Sequence, residues 1–556
     1  MEKILDENYY DFIINNTLAV QSEGESITVL NERHSMLHVP VNIFNMCDLG
    51  MYPYNRFPTL FTLSSQLSLD SSNISQIQAN PSLALFGMGV LIGIIDTGVD
   101  YTHPAFKRSD NTSRIVSIWD QTIQDGYPPE GFTYGTEYDN QILNLALRTE
   151  EPLTIVPSTD TNGHGTAIAS IAAGSPDPEN SFTGVVPQSQ LVVVKLKEAK
   201  QNLRRIFSVP EGVVCFQETD IILGIRYVLN VAQRLRRPVV ILIAVGSSMS
   251  GHEGVGATSS YIDYLSQLSN VNVVVSAGNE GNKNRHFYGN VRAAPYVQEF
   301  ELKISANDPF FSFQIWPDIQ ARLAVQIIAP TGEMTSLIYP SIGTCVNHQF
   351  VFSQTEMWVN NILLEEENGS QLILIRFAHA SEGIWRVRVN GIDQNPFSYN
   401  SWLPSGDMIS NETFFLLSTP ETTITAPGNA DHVLTVTAYD QVTGSIIIDS
   451  SRGYTRGGRV KPDVAAPGSM VPCAVPGGGY ASLTGTGAAA AHASGAVAMV
   501  FEWAVVRGNY TSLTGKDVNS LIIRGATRNP IYAYPNNIWG YGKLNMYALF
   551  ELLTFI

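Results

Sequence analysis

The chain has 556 residues, more than one hydrophobic core normally holds, so two to four domains are expected. A hydrophobic content of 44% with 15% charged residues excludes a disordered chain. The net charge of −17 argues against nucleic acid as the main partner, because binding phosphates needs a basic footprint.

The basic run RLRRP (Arg234, Arg236, Arg237) is isolated and reads as a solvated helix end. Cys47, Cys215, Cys345 and Cys473 are scattered without zinc-ligand spacing. Four cysteines in so long a chain are too few for a disulfide framework, and reduced, buried thiols are expected. The N-terminus, MEKILDENYYDF, has no basic stretch followed by an apolar one, so no secretory signal is visible. No run approaches the roughly 18 apolar residues of a membrane helix. Synthesis in the cytoplasm and no membrane span are expected.

In chain order, residues 1–75 carry short strand-like runs, DFIINN, SITVLN and VPVNIF. They end in the Ser/Asn-rich stretch SSQLSLDSSNISQ, which reads as a linker. MGVLIGIID (88–96) is a continuous apolar run, the mark of a strand buried on both faces. LVVVKLK (191–197), VVILIAVG (239–246) and VNVVVSAGNEG (271–281) repeat that mark. A helical pattern at 219–235 lies among them, and buried strands alternating with helices predict a parallel α/β sheet. From 290 to 425 the pattern changes to alternating strands, such as EFELKIS, FSFQIWP and GIWRVRVNG, separated by turn signals. That predicts an all-β sandwich inserted into the α/β domain, which resumes over 426–556. Helical patterning returns at 487–506 and again near 515–525.

Functional groups collect at strand ends in a parallel sheet. Asp96 ends the first buried strand in IIDTGVD, His164 lies in the Gly-flanked turn of DTNGHGTAIASIAAG, and Asn279 ends a strand in VVVSAGNEG. Each alone is weak, since an Asp at a strand end is usually a turn or a cap. Jointly, Asp before His before a Gly-Thr-X helix start is the chain order of the subtilisin type of Ser-His-Asp triad. With KPDVAAPG and GTGAAAAHASG, these segments resemble the subtilases, the peptidase S8 family. DYTHPAF, RIVSIWDQTI, FTYGTEY, the size of the β insertion and FEWAVVRGN resemble more narrowly the germination-specific Csp proteases of clostridia.

The resemblance implies a subtilisin-like parallel sheet flanked by helices, with an N-terminal α+β prodomain (1–75) and an inserted jelly-roll (290–425) between the two parts of the subtilase domain, 76–289 and 426–556. It casts Asp96 as the carboxylate that orients the imidazole, His164 as general base and Asn279 as side-chain donor of an oxyanion hole. Ala244, Val245, Gly246, Ser276, Ala277 and Gly278 match strands flanking a first substrate pocket, and Val214–Glu218 an edge strand for peptide pairing. No cofactor and no metal is expected, as no Asp/Asn-Gly calcium loop is evident.

The chain departs from the family at one position. Where active subtilases read Gly-Thr-Ser, it has Gly485, Thr486 and Gly487. Glycine keeps the backbone N–H but has no oxygen to attack a carbonyl. For subtilisin itself, loss of the nucleophile lowers turnover roughly 10⁶-fold. Thr484, Thr486, Ser482 and Ser494 are near in sequence but are not expected to replace it. Natural loss and an altered active sequence both fit. Self-cleavage should fail, leaving RFPTLFTLSS of the prodomain tail in the cleft. The resemblance implies a spore-associated pseudoprotease of germination, binding a sister protease or a small-molecule germinant. Its alternative is an endopeptidase that processes a cortex hydrolase precursor, inactivated by the change at 487.

Overall fold

The four apolar runs form the centre of one sheet in the computed structural model, which describes residues 2–16, 27–41, 45–63 and 70–554. Near the N-terminus, β1 (Tyr9–Asn15), β2 (Ile27–Val29) and β3 (His34–Pro40) form an antiparallel sheet in the order β1-β3-β2. A short strand, β4 (Leu60–Leu63), follows separately. The main sheet then takes β5 (Leu91–Asp96), β6 (Ile115–Asp120), β7 (Thr136–Asp139) and β8 (Gln190–Lys195). After the two-residue β9 (Phe216–Gln217), it adds β10 (Val239–Ile243) and, beyond β11 (Val245–Gly246), β12 (Val271–Ser276).

The β insertion runs through β13 (His286–Val291), β14 (Val297–Ile304), β15 (Phe311–Pro317), β16 (Leu323–Ile328) and β17 (Val346–Gln349). It continues with β18 (Glu356–Ile362), β19 (Leu372–Ala378), β20 (Gly383–Gly391), β21 (Phe397–Trp402) and β22 (Phe414–Phe415). These make two antiparallel sheets, β13-β21-β15-β19-β18-β17 and β16-β20-β14-β22. Phe300, Trp385 and Val325 of one share a core with Phe313, Phe377 and Tyr399 of the other. The chain then returns to the main sheet with β23 (Leu434–Tyr439) and β24 (Val464–Pro467). Its order is β24-β23-β12-β10-β5-β8-β6-β7, with every pair parallel except β6 with β7. This is the subtilisin-like α/β sheet expected, with all-β sheets inserted.

Several expectations shift. The strand expected at VPVNIF lies earlier, over His34–Pro40, and residues 42–44 fall outside the described ones, as does Ser26 of SITVLN. The linker is only partly described, because residues 64–69 lie outside. Its remainder forms a 3-10 turn, Asp70–Ser72, and the start of the helix Ile74–Ala79, whose Ile74 and Ile77 enter the main core. Arg237 is no solvated helix end: its guanidinium donates to the carbonyls of Gly89 and Val90 and to Gln190. The segment Thr486–Val506 is long and apolar enough to cross a membrane, contrary to the expectation of no such run. Here 83% of its apolar window is buried inside the fold, which makes it a core helix.

The reduced state expected of the cysteines is corrected for one pair. Cys47 and Cys345, 298 residues apart, form a disulfide with Cα atoms 5.2 Å apart, tying the N-terminal unit to the insertion. Nothing local in sequence signals it, because the pair meets only through packing of two distant units. Cys215 and Cys473 are buried thiols, each pushed up to about 11 by burial.

Candidate active site

Asp96 closes β5 at the carboxyl edge of the sheet and is buried. His164 opens the helix His164–Ala173, and its Nδ1 lies 2.8 and 2.9 Å from the two Asp96 oxygens. Because a carboxylate only accepts, this contact places the proton on Nδ1 and turns Nε2 into the basic end of the ring. The pair is held from both sides. Thr97 N donates to Asp96 Oδ1 at 2.7 Å, and Gly165 N donates to Thr97 Oγ1 at 2.9 Å. A Cβ on Gly165 would lie 2.1 Å from the Gly98 carbonyl oxygen, so a glycine is needed for the helix to approach this closely. Asp160 accepts from Gly163 N, Thr166 N and Thr166 Oγ1, tying down the helix start. Sequence reasoning gave Asp160 no role, although it stands at the head of the quoted His164 motif.

Gly487 is the second residue of the helix Thr486–Phe501, every residue of which is buried. The alanine and glycine run thus serves packing at the centre of the domain, where longer side chains would not fit. Asn279 lies three residues beyond β12, and its Oδ1 accepts from Thr486 N and Thr486 Oγ1, both at 3.1 Å. That commits the amide oxygen and leaves Nδ2 as the donor end. The Gly487 N–H belongs to the first helical turn, whose amides have no intrahelical acceptor and carry the positive end of the dipole. Asn279 and the start of this helix thus come together.

Nearby hydroxyls are otherwise engaged. Thr486 Oγ1 also accepts from Gly278 N at 3.1 Å, Ser494 Oγ donates to Ala491 O, and Thr484 Oγ1 accepts from Met470 N. Ser482 is exposed on the hairpin strand Gly479–Leu483.

The segment RFPTLFTLSS, described as far as Leu63, forms β4 between the two edge strands. Leu60 and Phe61 pair antiparallel with Gln217 and Phe216 of β9, while Thr62 and Leu63 pair with Gly246 and Val245 of β11. The edge strand expected over Val214–Glu218 is thus only two residues long. Glu218 opens the next helix instead, and its carboxylate accepts from Thr59 N at 3.1 Å, Thr59 Oγ1 at 2.6 Å and Thr258 N at 3.0 Å. Glu218 as the clamp on this tail was missed, since its partner is 159 residues away.

Ala244 and Ser276–Gly278 are buried beside these strands. Thr425 and Ala426, which sequence reasoning did not single out, bridge the two segments. Thr425 N donates to Ala277 O, and Ala426 exchanges two backbone bonds with Ser247. Among the described residues, no group of three His, Cys, Asp or Glu side chains could hold a metal ion.

The Subtilase family profile matches residues 87–299 and 411–542, most of the chain outside the β insertion. The chain belongs to the subtilase family. The subtilase relatives include the C5a peptidase of Streptococcus pyogenes, 24% identical over 464 residues. That alignment covers 78% of this chain but 36% of the peptidase, so the chain spans about a third of that relative's length. The subtilisin-like protease SBT2.4 of Arabidopsis thaliana is 31% identical over 128 residues, 20% of this subtilase and 15% of the plant protein. Among solved structures, the CspB protease of Clostridium perfringens superposes with a TM-score of 0.77 at 28% identity. It covers 87% of this chain and 96% of its own.

Proposed function

We propose that this subtilase is a pseudoprotease that binds peptide segments in its cleft without cutting them, and regulates proteolysis in spore germination. The observation that carries this reading is Gly487: the cleft has its Asp96–His164 pair, its strand-pairing edges and no oxygen at the attacking position. In this reading Asp96 orients His164, and Asn279 Nδ2 with the Gly487 N–H makes an anion-binding corner at the helix start. Residues 1–75 act as an uncleaved prodomain whose tail, β4, fills the groove as a substrate would. The insertion acts as a jelly-roll brace. The partner in trans is a protein, a sister protease being the leading candidate, and the setting is the spore.

The geometry of Asp96, His164 and Asn279 also favours a second reading. A serine endopeptidase that processes a cortex hydrolase precursor would need this same arrangement, with only the oxygen at 487 missing. Gly487→Ser separates the two. The intact mass of the unaltered protein should show one uncleaved chain, and two fragments breaking near residues 60–75 would overturn that expectation. If Gly487→Ser restores both self-cleavage and reaction with a fluorophosphonate probe, the second reading gains. If the serine variant folds and does neither, the site has drifted into a binder.

A further inference from the structure

The groove that holds β4 has a wall that subtilase sequence motifs do not describe: the turn Ser405–Met408, at the return of the β insertion. Gly406 stands at φ +59, and a Cβ built on it would lie 2.3 Å from Thr62 Cγ2, 2.8 Å from Thr62 Oγ1 and 3.1 Å from Thr62 Cβ. The Gly406 backbone therefore lies directly against the Thr62 side chain. Thr62 is buried and pairs with Gly246 on the other strand wall. Phe61, the preceding residue, is buried in the same apolar cluster as Phe216, Val245 and Ala257.

This turn is fixed in place. Gly406 N donates to Glu280 Oε1 at 3.0 Å, and Gly406 O accepts from Arg285 Nη1 at 2.8 Å. The same guanidinium pairs with Glu280 Oε2 at 3.0 Å and donates through Nη2 to Ile409 O and Asn411 Oδ1. Ser248, two residues beyond β11, donates its N–H to Ser405 Oγ at 3.2 Å. Glu280 and Arg285 are both buried, and Glu280 directly follows Asn279. The wall is thus bolted to the part of the fold that carries the candidate site. A packed backbone held by buried charge-assisted bonds does not retreat for a larger neighbour.

We infer that the Ser405–Met408 turn is a specificity wall of the peptide groove. It admits at the Thr62 position only a side chain no larger than threonine or valine, following a large apolar residue at the Phe61 position. The occupant it fits is the chain's own tail, an extended segment with that large-then-small pattern at Phe61 and Thr62. The inference rests on the proposed peptide-binding reading of the cleft and adds what the cleft selects.

Two measurements test it. In the full-length Phe61→Asp variant, a carboxylate in the apolar cluster should expel the tail, which faster hydrogen exchange at residues 60–63 would report. Labelled peptides matching residues 56–63, with Thr, Val or Leu at position 62, are then titrated by fluorescence anisotropy. The Thr and Val peptides should bind alike, and the Leu peptide roughly 10–100-fold more weakly, the range expected for one extra methylene group against a fixed wall. Equal binding of all three overturns the wall but leaves the groove a peptide site. Binding of none overturns the peptide-binding reading itself.

The second measurement compares Thr62→Val and Thr62→Leu in the otherwise unaltered chain. Exchange at residues 60–63 should be unchanged in the valine variant and at least ~10-fold faster in the leucine variant. Equal protection in both would overturn the inference without any need for the Phe61 variant.

Discussion

The floor of the cleft and its rim are specified in different ways. The floor, with Asp96, His164, Asn279 and Gly487, is written in short contiguous motifs, each at a strand end or a helix start. The rim is made by residues that meet across long stretches of chain. Thr59 and Glu218 are 159 residues apart, Gly406 and Glu280 are 126, and Cys47 and Cys345 are 298. Chemistry therefore depends on local sequence, while access to it depends on how three distant units pack. A loss on the floor should change activity without changing stability, and a loss on the rim should change stability and access to the groove together.

The sharpest test of the floor uses the Gly487→Ser background. If that variant regains turnover, adding Asp96→Asn should remove about 10⁴-fold of it, because the imidazole would be held in the wrong tautomer. The melting temperature should hardly move, since the amide keeps the packing. A large fall in stability together with activity would erase the distinction between floor and rim.

On the rim, Glu280→Ala leaves the buried Arg285 without its carboxylate and should cost about 3–5 kcal/mol in denaturant unfolding. Hydrogen exchange should rise at Ser405–Met408 and at the tail strand together. Protection lost in the turn alone would show that the wall and the groove are not coupled. Reduction of Cys47–Cys345, or Cys47→Ser, should cost about 2–4 kcal/mol, the usual range for loss of a disulfide. Cys215 and Cys473 are already thiols, so the reductant reports on this pair. An unchanged melting temperature would mean that packing alone holds the N-terminal unit to the insertion.

The same division explains what the sequence made legible. β5, β8, β10 and β12 were readable because strands buried on both faces are continuous apolar runs. β24 was not, as its VAAP is short and built of small residues at the sheet edge. Asp96, His164 and Asn279 stood out because each is flanked by turn glycines within a recognisable motif. Glu218, Arg285, Gly406 and Thr425 did not, since their roles come from partners brought by tertiary packing. The disulfide is the extreme case, as neither cysteine carries any local sign of the other.

The smallest expected effect probes the joint between the insertion and the body. Trp402 of β21 is sandwiched between two buried imidazoles, His252 at 4.0 Å and His286 at 4.9 Å between ring centroids. Burial lowers His252 to about 3 and His286 to about 4, from an ordinary 6.5, and for His252 the nearby His286 and Arg456 add to the shift. Both folded values lie below the unfolded one, so the unfolded chain takes up protons first as pH falls. Stability is therefore unaffected above about pH 6.5 and declines as pH drops from there toward 4. At pH 5.5 each histidine should cost on the order of 1 kcal/mol relative to neutral pH. His286→Gln can keep a bond to Asn400, whose Oδ1 lies 2.9 Å from His286 Nε2, and has no charge to gain. It should remove one of the two increments and flatten the decline in unfolding free energy between pH 6.5 and 5. If the slope is the same in the variant, the acid sensitivity arises elsewhere, and this joint is held by stacking regardless of pH.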